Sequence, residues 1–135
     1  MRLSCKYQKK GLEVTRARTA IYELLQTSTS PLSVDSISEK LKQKKIEINR
    51  STIFRTINTF AEKNVIRKLE FDEGKFRYEL FDLPHHHHLL CTKCGKMIQI
   101  VDCQIDNLEE KFSRVFNFKI VKHKLEFLGI CDQCY

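Results

Sequence analysis

The 135-residue chain lacks any apolar run of membrane-spanning length, which excludes a protein anchored by a membrane-crossing helix. It shows no targeting segment, so a cytoplasmic setting is expected, in which cysteines stay reduced. It has no internal repeat and no low-complexity linker, so one ordinary domain or two small ones are expected. It also lacks a His-Glu-x-x-His or similar helix motif, which leaves a metal-dependent hydrolase with little support. Acidic charge is scarce in the front of the chain. Residues 1–83 carry 17 Lys and Arg against 11 Asp and Glu, and residues 84–135 carry 7 against 6. A basic front and a near-neutral back point to an anionic partner for the front. A merely solvated basic surface is the competing reading.

What the back half does have is sulfur and imidazole. His85, His86, His87 and His88 run into Cys91-Thr92-Lys93-Cys94-Gly95, and Cys131 and Cys134 form a second Cys-x-x-Cys, with 36 residues between the two hooks. Four thiolates on two tight turns suit a closed tetrahedral zinc site, and Gly95 supplies the freedom at positive φ that the first turn requires. Two disulfides are the alternative, disfavoured in a reducing setting. The histidine run is internal, unlike a purification tag. If it forms a short strand, alternate side chains face opposite ways. His86 and His88 then share one face and His85 and His87 the other, so one strand can feed two metal centres. A small domain gains most from such a metal staple.

Along the chain, residues 4–10 are expected to form a short basic helix ended by Gly11. Thr15 caps a helix to about Gln26, and Ser33 caps another to about Lys44. A third helix starts at Asn49 or Ser51 and runs to about Lys63. Its apolar face is Ile53, Ile57 and Phe60, and the opposite stripe is Ser51, Arg55, Asn58 and Glu62. Short polar residues around one arginine suit a helix that enters a DNA groove, although a solvated face reads similarly. Residues 65–71 and 75–80 then read as a hairpin turned by Asp72-Glu73-Gly74. Three helices and a hairpin make a winged helix, with Arg67, Lys68, Lys75 and Arg77 available to phosphates. Residues 81–84 read as a hinge. Beyond it come a strand over 97–101, a helix over 106–116 burying Ile105, Leu108, Phe112 and Val115 or Phe116, and a strand over 118–127. Open sheet edges in so small a unit lead to the expectation of a homodimer.

These residues resemble the ferric uptake regulator (Fur) family of metal-responsive bacterial repressors. The resemblance rests on Gly11-Leu12 through Thr15 and Arg18, on Ser51-Thr52-Ile53-Phe54-Arg55 to Phe60, and on the Gly74 wing. It continues through His85–His88, Cys91, Cys94-Gly95-Lys96, His123 and Gly129-Ile130-Cys131. It implies an α+β chain: a winged-helix DNA-binding domain over 1–81, a hinge over 82–84, and a small α/β dimerisation domain over 85–135 with a four-cysteine zinc site. It further implies that Cys91, Cys94, Cys131 and Cys134 hold structural Zn2+. A regulatory hinge site matches Glu79, His86 and His88. A second site matches His85, His87, Asp106 and His123, with His87 in place of the more common aspartate. DNA contacts match Arg18, Ser51, Thr52, Phe54, Arg55 and Asn58, and Phe54 stands where tyrosine is usual.

Two departures stand out. Pro31 occupies the position of a histidine that completes the hinge site, and Gln99 replaces a frequent carboxylate. Cys5 and Cys103 match no motif and are expected to be ordinary thiols, Cys103 beside the metal sites. A Cys5 sulfur in place of the lost histidine is a further possibility the sequence leaves open.

The implied function is a regulator, not an enzyme. Its dimer would bind a palindromic operator on double-stranded DNA when Fe2+, Zn2+, Mn2+ or Ni2+ is held, controlling metal homeostasis or peroxide stress genes. The alternatives are a zinc-stapled DNA-binding protein without a metal switch and, less supported, the hydrolase.

Overall fold

The structure, a computed structural model, describes residues 5–8 and 10–135, without the side chains of residues 5 and 6. The Cys5 sulfur, one possible replacement for the lost histidine ligand, therefore lies outside the described residues. The chain divides into two compact units, the first ending at Asp82 and the second beginning at Leu83.

The first unit contains α1 (Cys5–Gln8), α2 (Arg16–Thr27), α3 (Val34–Gln43), α4 (Arg50–Glu62) and the hairpin β1 (Ile66–Glu70) and β2 (Phe76–Leu80). Each long helix starts where a short polar side chain satisfies a free backbone N–H. Thr15 Oγ1 accepts from the Arg18 N–H at 3.1 Å and Ser33 Oγ from that of Ser36 at 3.1 Å. Of the two candidates for α4, Asn49 is the cap: its Oδ1 accepts from the Thr52 N–H at 2.8 Å and from the Ser51 hydroxyl at 2.8 Å. Ile21, Ile37, Ile53, Ile57 and Phe60 are wholly buried. Tyr7 of α1 joins them through tilted ring contacts to Tyr22 and Phe60, with centroids 5.4 and 5.3 Å apart. This geometry suits aromatic quadrupoles better than face-to-face stacking.

β1 and β2 pair antiparallel from Ile66↔Leu80 to Glu70↔Phe76. Asp72 and Gly74, at φ 59° and 75°, make the turn, a region that glycine enters without a Cβ clash. Leu32 extends the hairpin on the β2 side: its N–H donates to Tyr78 O at 2.9 Å, and the Tyr78 N–H returns to Leu32 O at 2.8 Å. The result is a winged helix. One expected phosphate contact is corrected. Arg77 is buried and holds Glu73 through its Nε and a terminal nitrogen at 2.9 and 2.7 Å, so it stabilises the turn of the wing instead of facing solvent.

The second unit contains β3 (His87–Cys91), β4 (Met97–Ile100), α5 (Asp106–Phe116) and β5 (Glu126–Gly129). β3 lies in the middle, antiparallel to β4 and parallel to β5. Two expectations are revised. The strand read over 118–127 is a strand only from Glu126, because residues 118–125 join no sheet among the described residues. The α5 face expected to be buried is exposed, with Leu108 at 46%, Phe112 at 41% and Phe116 at 65%. Among the described residues α5 buries none of its side chains. No helix among the described residues is long and apolar enough to cross a membrane.

Candidate metal centres and nucleic-acid interface

The two Cys-x-x-Cys hooks meet at one end of the second sheet. In the first, Gly95 at φ 78° lets its N–H return to Cys91 O at 2.9 Å, and in the second the Cys134 N–H returns to Cys131 O at 2.9 Å. Both pairs of thiols are thereby turned toward one point, and the four sulfurs of Cys91, Cys94, Cys131 and Cys134 lie within 4.8 Å of one another. The Cys94 and Cys131 sulfurs are 3.7 Å apart. That is the edge of a tetrahedron with metal–sulfur bonds of about 2.3 Å, and it far exceeds a disulfide of about 2.05 Å. Backbone N–H groups of Cys94 and Cys131 hold the Cys91 thiol down at about 6. Hydrogen bonds with the neighbouring thiols push Cys134 up to about 12. A divalent cation reverses that second effect by stabilising every thiolate. The donor set fits zinc.

The histidine run enters β3, whose first two residues are His87 and His88, and its side chains alternate as an extended backbone requires. The rings of His86 and His88 contact each other edge-on with centroids 4.7 Å apart, as do those of His85 and His87. On the second face His123 joins them. Its Nε2 is 3.1 Å from His85 Nε2 and 3.0 Å from His87 Nε2. The fourth donor in this group is the Cys103 sulfur, 3.2 Å from His87 Nε2 and 3.4 Å from His123 Nε2. Asp106, expected here from the resemblance, is not among the grouped side chains, whereas Cys103, read as an ordinary thiol, is. Nothing in the sequence motif marks Cys103. It lies 20 residues before His123, in the irregular link between β4 and α5, and only the folded link brings it in.

The outer nitrogens of these rings are also engaged. His87 Nδ1 donates to Leu125 O at 3.1 Å and His123 Nδ1 to the Glu109 carboxylate at 2.5 Å. Burial, and next the nearby His85, hold His87 below the ordinary imidazole range, so it is neutral at pH 7. On the other face His86 Nδ1 donates to Pro84 O at 2.7 Å. In each case Nδ1 is turned to an oxygen acceptor, which aims Nε2 away from it as the atom available to a metal. Glu79 is a buried carboxylate on β2 of the first unit, and Pro31 of that unit is fully buried. Gln99 faces His88 in the β3–β4 register.

In the first unit, α4 presents Ser51, Arg55 and Asn58 to solvent, while Ile53, Ile57 and Phe60 hold its other side in the core. Phe54 is 43% exposed with the Arg50 guanidinium 5.3 Å from its ring centre. Arg55 donates to Thr52 Oγ1 at 3.3 Å. Arg18 is partly buried and donates to Glu13 O at 2.9 Å.

The Ferric uptake regulator family model matches residues 9–128. The chain belongs to that family. It is similar to the ferric uptake regulation protein of Neisseria meningitidis, 32% identical over 92% of this chain and 87% of that protein. It is also similar to the peroxide-responsive repressor PerR of Staphylococcus epidermidis, 29% identical over 94% of this chain and 84% of that one. Its fold matches the crystal structure of the Vibrio cholerae ferric uptake regulator, in which rearrangement of the DNA-binding domains is described. The TM-score is 0.83 at 29% identity, over 95% of this chain and 98% of that one. As a Fur-family member the protein is a metal-responsive transcriptional regulator and not an enzyme.

Proposed function

We propose that the chain acts in the cytoplasm as a homodimer that binds a palindromic DNA operator when a regulatory divalent metal is held. The observation that carries this reading is the pair of donor sets on opposite faces of β3, in a chain whose other unit is a winged helix with an exposed polar α4. Arg55 is the residue to read a base edge, as a bidentate donor to guanine. Ser51, Thr52 and Asn58 complete the approach, and Phe54 offers an apolar edge to a thymine methyl. Arg18 faces a phosphate.

Cys91, Cys94, Cys131 and Cys134 hold structural zinc, and the exposed apolar face of α5 is the surface to be covered in the dimer. His86 and His88, with Glu79 by family resemblance, form the regulatory site. His85, His87 and His123 hold a second ion. To switch, the metal must bind the DNA-competent arrangement better than the alternative.

One observation favours a second reading, a zinc-stapled DNA-binding protein without a switch. Pro31 has no ligand atom in its side chain, is fully buried, and stands where the family carries a hinge-site histidine. The two readings separate in one experiment. The zinc-loaded chain is assayed against a pool of random duplexes while Fe2+, Mn2+, Zn2+ and Ni2+ are titrated one at a time. A rise in affinity of tenfold or more, about 1.4 kcal/mol of coupling, supports the switch and names the metal. Equal affinity with and without every metal overturns it.

A further inference from the structure

We propose that Cys103 is the fourth ligand of the second site, making it a centre of three imidazoles and one thiolate, from His85, His87, His123 and Cys103, that takes zinc or cobalt in preference to iron or manganese. This rests on the reading that the second histidine cluster holds a metal, and it sets the class of ion.

Three observations converge. The first is the donor geometry. The spacings already given, 3.0 and 3.1 Å between ring nitrogens and 3.2 and 3.4 Å from nitrogen to sulfur, put all four atoms around one point. Tetrahedral bonds of about 2.0–2.3 Å require edges of about 3.3–3.6 Å, so small outward movements of the rings and thiol admit an ion.

The second is proton placement. His87 commits its Nδ1 proton to Leu125 O and His123 commits its own to Glu109. The Nε2 atoms of both rings are thereby aimed at the shared point, 3.0 Å from each other. A cation there takes both nitrogens as ligands, and Glu109 becomes the carboxylate that orients a ligating histidine. The third is the donor inventory. Glu109 is used by His123, Asp106 is not in the group, and no other carboxylate is in it. A thiolate with three imidazoles is a softer set than the carboxylate-containing one expected from the resemblance. It favours Zn2+ and Co2+ over the harder ions, which prefer oxygen.

The test uses the full chain with zinc retained in its four-cysteine site, titrated with Co2+ alone. The expected result is a tightly bound equivalent of cobalt with a near-ultraviolet thiolate-to-cobalt charge-transfer band and an intense tetrahedral visible spectrum, which the regulatory site, having no thiolate, does not give. Retained zinc is counted afterwards, so that displacement from the four-cysteine site is not mistaken for new binding. In C103S the charge-transfer band is lost and affinity falls by about tenfold or more. C103A repeats the result with a residue that cannot ligate. E109Q weakens binding but keeps the band, and D106N leaves both unchanged. A band and affinity unaltered in C103S and C103A, or binding abolished in D106N, would overturn the assignment of Cys103 while leaving the site intact. No cobalt bound beyond any that displaces zinc from the four-cysteine site would overturn the second metal site itself.

Discussion

The two units solve the problem of a small core differently. In the first, three capped helices and a hairpin bury isoleucines and aromatic rings around Phe60, so its order is sustained by apolar burial. In the second, Leu90 and Cys91 are the only buried hydrophobic residues among those described, and α5 buries none. Its order rests on cysteines and histidines that converge at points of a three-stranded sheet. A unit held by donor atoms responds to ion supply, whereas a unit held by apolar area does not. That difference suits a protein in which one part reads metal and the other contacts DNA.

The largest expected effect breaks the comparison on the metal side. Stripping zinc with a chelator, or the substitution Cys131→Ser, removes a contribution of about 10 kcal/mol or more to the second unit. Hydrogen exchange should then show amides of β3 and β5 losing protection while those of α2 and α4 keep theirs. Equal loss in both units would mean that the first is not independently ordered. The reverse cut is Ile57→Ala, in the helix core of the first unit. It should cost about 3–4 kcal/mol by denaturant titration and leave the zinc content of the chain unchanged.

A third substitution, Phe116→Glu, tests the exposed α5 face. Self-association should weaken about 100-fold, close to 2.7 kcal/mol, with zinc content and the secondary-structure signal retained. An unaltered sedimentation profile would remove α5 from the proposed dimer surface. The smallest effect belongs to the wing. Arg77 lowers the Glu73 carboxyl below its ordinary 4.5 through their paired hydrogen bonds. A depressed carboxylate contributes stability in full above that ordinary value and loses it as pH falls through the lowered one. Glu73→Gln should therefore cost about 1 kcal/mol at pH 7. The gap between variant and parent melting temperatures should close in acid, below about pH 4.

Much of the first unit is legible in the sequence because its signals are local. Thr15, Ser33 and Asn49 cap helices through backbone groups three residues away, and the spacing of Ile53, Ile57 and Phe60 requires nothing beyond helix geometry. The role of Arg77 is not legible, since an arginine in a basic wing looks available until its burial against Glu73 is seen. In the second unit the periodic α5 face reads as buried, yet burial depends on a covering surface that the chain alone does not provide. Residues 118–125 alternate like a strand but pair with no strand among the described residues.

The candidate metal centres divide along the same line. The Cys-x-x-Cys hooks and the alternation of His85 to His88 follow from spacing and strand period, so the sequence alone determines that one end of β3 collects sulfur and that its two faces collect imidazole. Resemblance supplies His123 in addition. Tertiary structure alone decides that Cys103 and not Asp106 meets His123, and that Glu109 and Leu125 O fix the ring protons. Such choices depend on the path of an irregular link and on the placement of α5, which no local spacing encodes.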